Sequence, residues 1–132
     1  MPGQPRIGEV LPGAEEAVIP RAKLVDYALD PDNPHGRHKA TVFRRALAIE
    51  QRNWEYLRDS ILDALLSCPV TEIRQAEGPE GKTTFSVVVP IRGLNGRTLP
   101  VLTAWKLVGG RPVLASARVV KRSSRRSDGS TL

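Results

Sequence analysis

The sequence predicts an α+β fold with about three N-terminal helices packed on a three- to four-stranded antiparallel sheet. Apolar residues recur at helical spacing through the first half of the chain, whereas apolar and polar residues alternate through most of the second half. Short Gly-containing turns separate the later alternating segments, as in β-hairpins. Helices that precede a run of such strands are expected to pack on one face of the sheet.

Three segments carry the helical pattern. The first covers residues 14–29, with a helix either interrupted or started at Pro20, which suits the first turn of a helix. The second is expected from about residue 36 to residue 49, with a buried apolar face. The third follows Asn53, a residue type that favours the N-cap position, and ends at Cys68 and Pro69.

The second half of the chain predicts strands separated by turns. The expected strands are residues 70–76, 83–92, 99–108 and 112–120. Pro90 lies inside the second of these strands and has no N–H to donate to a neighbouring strand. Pro90 is therefore expected at an edge position or at a bulge.

The chain is expected to hold one domain with its own core. Residues 14–120 form this single α+β domain, because their length suits one hydrophobic core. Residues 1–13 are rich in proline and glycine and are expected to be a flexible lead. Residues 121–132 are expected to be a basic, disordered tail.

The net charge of +6 is unevenly distributed along the sequence. Residues 118–132 hold five cationic side chains and one acidic side chain, which leaves a net charge of only +2 for residues 1–117. Affinity for RNA would therefore come from local clusters rather than from a field around the whole protein. The tail has two interpretations: a solubilising end or a non-specific RNA-binding arm.

Several protein classes are not expected from this sequence. Cys68 is the single cysteine, which excludes an internal disulfide. The sequence shows no Gly-rich phosphate loop and no regular metal-ligand spacing, so we expect no cofactor and no metal. It also shows neither a membrane span nor a signal peptide. A cytoplasmic protein that does not associate with a membrane is expected, unless a delivery module precedes it.

One short segment, residues 34–44, combines two kinds of chemistry. It contains both histidines of the chain, His35 and His38, and histidine side chains exchange a proton near neutral pH. Four cationic side chains and no acidic ones lie between Arg37 and Arg45, and such side chains bind phosphate. The segment should form a turn and the first turn of a helix, where backbone N–H groups favour anions. These residue types suit metal-free chemistry on a phosphodiester, or binding of one.

Several motifs follow one another along the chain: Ile19-Pro20-x-x-Lys23-Leu24-x-x-Tyr27-x-Leu29, His35-Gly36-Arg37-His38-Lys39-Ala40-x-x-Phe43, Trp54 to Leu57, Gly96-Arg97, Thr103-Ala104-Trp105 and Pro112-x-Leu114. Together they resemble an uncharacterised bacterial domain family, which occurs as small proteins and at the C-terminus of polymorphic toxins. The resemblance covers roughly residues 11–120. More distantly, the layout and the toxin setting resemble the barnase/EndoU/RelE-like ribonuclease toxins.

This resemblance implies a toxin-like, metal-independent endoribonuclease that cleaves RNA by general acid–base chemistry. Such a reaction needs a base for the 2′-hydroxyl proton, an acid for the 5′-oxygen and cations near the phosphate. His38 is the first choice for proton transfer and His35 is the second. Lys39 and Lys23 would hold the phosphate oxygens. The substrate-binding residues implied in addition are Arg37, Arg97, Thr103, Trp105 and Ser116.

Other interpretations of these residues stay open. Trp105 shares a strand face with apolar residues, which favours a place in the core over stacking on a base. His38 would also suit a helix cap or a pair with an acid, and Lys23 a solvated helix face. The rival function is a non-catalytic RNA-binding or partner-binding component of a toxin–antitoxin pair, and a phage or structural adaptor is a third. A toxin would also imply a cognate antitoxin or immunity protein as partner.

Overall fold

Three helices precede a four-stranded antiparallel sheet, which confirms the predicted α+β class. The structure is a computed structural model that describes residues 4–75 and 83–120, so the predicted basic tail at 121–132 lies outside the described residues. The helices are Arg21–Lys23 (α1), Arg37–Leu47 (α2) and Trp54–Leu65 (α3). A π-helical segment, Leu24–Ala28, continues α1, and 3-10 turns are formed by Ala14–Glu16 and Gln51–Asn53.

The first helix begins directly after Pro20, which agrees with the alternative of a helix started at that residue. Residues 17–20 leave the 3-10 turn in extended conformation, and Pro20 is the N-cap of α1 with a ψ angle of 134°. The reason is a contact with the sheet. The N–H of Val18 donates to the carbonyl of Pro112 over 2.9 Å, and the N–H of Leu114 donates to the carbonyl of Val18 over 3.0 Å. This pairing holds the segment extended, because a helix would use the same backbone groups internally.

The second and third helices lie close to their predicted positions. Helix α2 ends two residues before the predicted boundary, because Ala48 adopts the left-handed region at φ 57° and closes the helix. Asn53 occupies the N-cap position of α3, but its side chain accepts a hydrogen bond from the N–H of Glu50 over 2.9 Å. It thereby closes a capping box around the preceding 3-10 turn.

The strands form a meander in the order β1-β2-β3-β4, with each pair antiparallel. They are Val70–Gln75 (β1), Thr83–Arg92 (β2), Thr98–Val108 (β3) and Arg111–Val119 (β4). Strand β1 pairs with β2 only as far as Val87. Pro90 therefore lies on a stretch of β2 that has no β1 partner, which gives it the predicted edge position.

The core lies between the helices and one face of the sheet. Strand residues of this inner face alternate with residues of the outer face, as the period of two requires. The largest fully buried side chains include Trp105, Phe43, Phe85, Leu57 and Ile61. Within residues 4–75 and 83–120, no helix has the length and apolar character needed to cross a membrane.

A buried hydrogen-bond chain joins the two central strands. The indole N–H of Trp105 donates to Oγ1 of Thr103 over 2.7 Å. This hydroxyl donates in turn to the carbonyl of Val87 on β2, also over 2.7 Å. Both side chains are fully buried, so each polar group depends on the other for its partner.

Residues 4–13, which belong to the predicted flexible lead, contact the start of β1. The N–H of Gly8 donates to the carbonyl of Val70, and the N–H of Val70 donates to the carbonyl of Glu9, both over 2.8 Å. Leu11 is only 2% exposed and is part of the core. The core therefore begins before residue 14, where the sequence placed the start of the domain.

Replacement of Thr103 by valine should destabilise the core without changing its shape. Thr103→Val leaves the Trp105 N–H without its acceptor and removes the hydroxyl that donates to the Val87 carbonyl. We expect the free energy of unfolding to fall by about 2 kcal/mol or more, since each unsatisfied buried group costs about 1–3 kcal/mol. Urea unfolding followed by tryptophan fluorescence measures this. Thr103→Ser keeps the hydroxyl and should lose only about 1 kcal/mol; an equal loss in both variants would contradict the role of the hydrogen bonds.

Candidate functional site

The turn before α2 packs directly on the π-helical segment that follows α1. Gly36 is buried there, and a Cβ atom at this position would collide with the backbone carbonyl of Tyr27. Asn33 fixes the same turn through its side chain. Its Oδ1 accepts from the N–H groups of His35 and Gly36 over 2.8 and 3.0 Å, and its Nδ2 donates to the carbonyl of Asp26 over 2.8 Å. The contacts of the turn that precedes α2 thus fix the position of this helix.

Lys39 and Tyr27 meet across this contact. The Nζ atom of Lys39 lies 4.7 Å from the centre of the Tyr27 ring, a cation–π geometry. The same atom is 3.5 Å from the Tyr27 hydroxyl oxygen, at the long limit of a hydrogen bond. Both side chains are half-buried. The contact therefore holds one cation in place at the margin of α2.

The two histidines are close to Lys39 in the chain, and their side chains face solvent. His35 is in the turn and His38 is in the first turn of α2, and both are exposed. Lys23, also exposed, lies in α1, four residues before Tyr27. We call Lys23, Tyr27, His35, His38 and Lys39 the helical basic surface.

The cations of this surface have no ion-pair partner within the described parts of the chain. The ion pairs there are Arg52–Glu50, Arg58–Asp59 and Arg74–Glu72. None of these pairs includes a residue of α1, of α2 or of the turn before α2. The surface is thus positively charged with no carboxylate close enough to neutralise it.

A cleft of about 420 Å³ lies on another side of α2. Its walls combine apolar residues with charged ones, and Arg44 of α2 is among them. Neither histidine lines this cleft. In residues 4–75 and 83–120, no three His, Cys, Asp or Glu side chains lie close enough together to hold a metal ion. The cleft is lined by Leu29, Pro31, Ala40, Thr41, Arg44, Glu50, Gln51 and Arg52.

Comparison with known families gives one match. Residues 10–121 match the family described as Domain of unknown function (DUF6883). The chain belongs to the DUF6883 family. No curated protein and no solved structure matches it. Membership in DUF6883 confirms the uncharacterised family that the sequence motifs indicate, over nearly the predicted range of residues.

Arg97 is not part of the helical basic surface of this DUF6883 domain. It lies in the loop between β2 and β3, which packs on the C-terminal end of α2: the N–H of Leu94 donates to the carbonyl of Leu47 over 2.8 Å. Asn95 of the same loop donates from Nδ2 to the carbonyl of Ala46 over 3.1 Å. His38 is at the other end of the helix, roughly 13 Å away along its axis. The role of Arg97 as an additional phosphate clamp stays a prediction, for a place away from the first turn of α2.

Thr103, Trp105 and Ser116 are also separate from the helical basic surface. Thr103 and Trp105 are fully buried in the core, so the indole has no face open for a nucleobase. Thr103 pairs with Ala117, whereas Ser116 pairs with Ala104. Because neighbouring residues of a strand point to opposite faces, Ser116 lies on the outer face and Thr103 on the inner face. The expected joint role of these two hydroxyls is therefore ruled out by the register.

Sequence reasoning missed two aromatic contacts of this DUF6883 domain. Tyr27 shares a sequence motif with Lys23, and this motif was the available signal for its contact with Lys39. The ring of Trp54 on α3 lies under two guanidinium groups, those of Arg21 and Arg58, at 5.7 and 5.0 Å from its centre. A hydrogen bond from Arg58 to Asp59 lowers the pKa of that carboxyl and raises the pKa of Arg58. Trp54 thus connects α1 to α3.

The contact between Lys39 and Tyr27 can be measured by a double-mutant cycle. The variants Tyr27→Leu and Lys39→Met, alone and together, should show a coupling of about 0.5–1 kcal/mol in the free energy of unfolding. Urea unfolding of the four proteins gives this value. The control cycle combines Tyr27→Leu with Arg45→Met, an exposed cation on the same helix, and should show coupling below about 0.5 kcal/mol. Equal coupling in both cycles would show that the contact is not specific.

Proposed function

We propose that this domain binds RNA at the helical basic surface and cleaves it without a metal ion, by general acid–base chemistry. One observation carries the proposal. The Lys39 ammonium is held against the Tyr27 ring at 4.7 Å, and His38, whose side chain is exposed, precedes Lys39 in the first turn of α2. Metal-free phosphodiester cleavage uses an imidazole to transfer protons and a cation to stabilise charge on the phosphate.

The start of α2 adds a further site for a phosphate oxygen. Its N-cap residue, Gly36, provides no side chain to cap the first turn. The backbone N–H groups and the positive end of the helix dipole favour an anion there. Lys39 supplies charge on one side of this turn, and Arg37, which is exposed, supplies charge on another. A phosphate at this place would have donors without any rearrangement of the backbone.

In the proposed reaction the 2′-oxygen attacks the adjacent phosphorus atom. A P–O bond forms to give a cyclic phosphate, and the bond from phosphorus to the 5′-oxygen breaks. His38 takes the proton of the 2′-hydroxyl, and His35 gives a proton to the departing 5′-oxygen. Lys39 and Lys23 stabilise the charge that develops on the phosphate oxygens. One proton is taken up and one is given, and one P–O bond forms as another breaks, so the step needs no further reactant.

A toxin-like setting is part of this proposal. Uncontrolled cleavage of RNA in the cytoplasm would require an inhibitor, so the proposed partner is a cognate antitoxin or immunity protein. Charge complementarity predicts that its contact surface is acidic. Such a protein would cover the cations of the helical basic surface and exclude RNA.

The second candidate function is binding of RNA or of a partner protein without catalysis. The exposure of both histidines favours it. Neither imidazole lines the cleft beside α2, so nothing around them excludes water from a reacting phosphate. The same cations would then serve only to hold the phosphate backbone.

Replacement of His38 should abolish cleavage and leave the fold intact. The purified protein is incubated with total bacterial RNA in excess EDTA, and the products are resolved on a denaturing gel. We expect discrete fragments from the wild type and a rate at least about 100-fold lower for His38→Ala, since loss of a general acid–base group has this effect. The thermal midpoint should stay the same because His38 is exposed. Intact RNA with wild-type protein, also after addition of magnesium, would leave only the binding function.

Binding is tested separately, through its dependence on salt. Affinity for a fluorescent single-stranded RNA is measured by anisotropy between low and moderate salt. Lys23→Met and Lys39→Met should each reduce the slope of log K against log salt by about 0.7, the value for one lost phosphate contact. Arg111→Met removes one exposed cation at the start of β4 and should leave the slope unchanged. The same decrease in all three variants would place the binding elsewhere.

A further inference from the structure

A polar groove crosses all four strands on the outer face of the sheet. Its volume is about 490 Å³, and its lining includes residues of β1, β2, β3 and β4. The strand register places Glu72, Ser86, Ala104 and Ser116 in one row across the sheet. These residues alternate with the core residues of the inner face. The groove is therefore on the side of the sheet that faces away from the helices.

The floor of the groove carries a buried hydroxyl without a partner. Ser86 is 6% exposed. Its hydroxyl makes no hydrogen bond within residues 4–75 and 83–120. The side-chain hydrogen bond at this residue runs from the Thr71 hydroxyl to the backbone carbonyl of Ser86. Buried polar groups normally have a partner. Ala104, its neighbour on β3, is small, and both residues line the groove. An unpaired hydroxyl that lines a groove indicates a place for a polar ligand.

The charged residues of the groove favour an anion. Arg118 is exposed, and in the described part of the chain it has no ion-pair partner. Arg74, at the other end, donates from Nε to Glu72 over 3.2 Å. This pair is exposed on both sides and is therefore weak. Two guanidinium groups face one carboxylate, so the groove has a net positive charge.

We propose that this groove binds the phosphate group of a nucleotide or of an RNA strand. Arg118 would hold two phosphate oxygens through its planar guanidinium, a geometry that suits phosphate. The hydroxyl of Ser86 would donate to a further phosphate oxygen, which would give this buried group its missing partner. Ser116, two strands away from Ser86, lines the same groove. The site is separate from the helical basic surface and does not rest on the proposed reaction.

The test is an NMR titration of the whole chain with three probes: inorganic phosphate, uridine 5′-monophosphate and a short single-stranded oligouridylate. Each probe should produce saturable shifts of the backbone amides of Ser86, Ser116 and Arg118. Arg118→Ala should weaken binding by about tenfold or more, the effect of losing hydrogen bonds to a charged group. Ser86→Ala should weaken it about fivefold. Arg111→Ala removes the same charge from the same strand outside the groove and should leave the affinity unchanged.

The order of the three affinities identifies the source of the phosphate. Tightest binding of the oligouridylate supports an RNA strand, and tightest binding of the mononucleotide supports a free nucleotide. The absence of saturable shifts in the groove for all three probes would overturn the proposal, as would an equal loss in Arg118→Ala and Arg111→Ala. The oligouridylate titration uses His38→Ala, because the wild type would cleave this probe if the proposed reaction is correct. The shifts that inorganic phosphate causes in the groove should be the same in His38→Ala and in the wild type. Failure of this site and failure of the proposed ribonuclease activity are therefore distinguishable.

Discussion

The close approach of Gly36 to the backbone carbonyl of Tyr27 sets the arrangement of the helical half of the molecule. Any side chain at position 36 would push α2 away from the segment that follows α1. With glycine there, the first turn of α2 reaches Tyr27, and Lys39 lies on its ring. From the same starting point Phe43 and Leu47 enter the core. The absence of a Cβ atom at Gly36 therefore allows both the packing of α2 on the core and the contact of Lys39 with Tyr27.

The sequence predicts the fold well where local patterns decide it. Alternation in residues 83–92 identifies β2, because a strand with one buried face must repeat every two residues. Residues 17–20 are different, since their conformation depends on a pairing between Val18 and Val113, far away in the sequence. Helical spacing in this segment was misleading for that reason. The end of α2 at Ala48 could not be predicted from the sequence either, because alanine does not favour the left-handed conformation that it adopts there.

The candidate site was predictable only where its residues are neighbours in the chain. His35, His38 and Lys39 lie together because a turn and one helical turn bring them together. The roles proposed for Thr103 and Ser116 required knowledge of the strand register. A bulge beside Ala104 shifts the pairing of β3 with β4, so counting along the strands did not tell which hydroxyls share a face. Trp105 is fully buried in the core, the place that the sequence already favoured over stacking on a base.

The distribution of free cations matters more than the net charge. Arg52, Arg58 and Arg74 each lie beside a carboxylate, which offsets part of their charge. The cations of α1 and α2, and Arg118 on β4, have no such neighbour within the described residues. They lie on opposite sides of the sheet, because the helices cover one face and the groove occupies the other. A mildly basic domain can therefore present two separate positive regions, and a phosphate-bearing ligand at one of them leaves the other available.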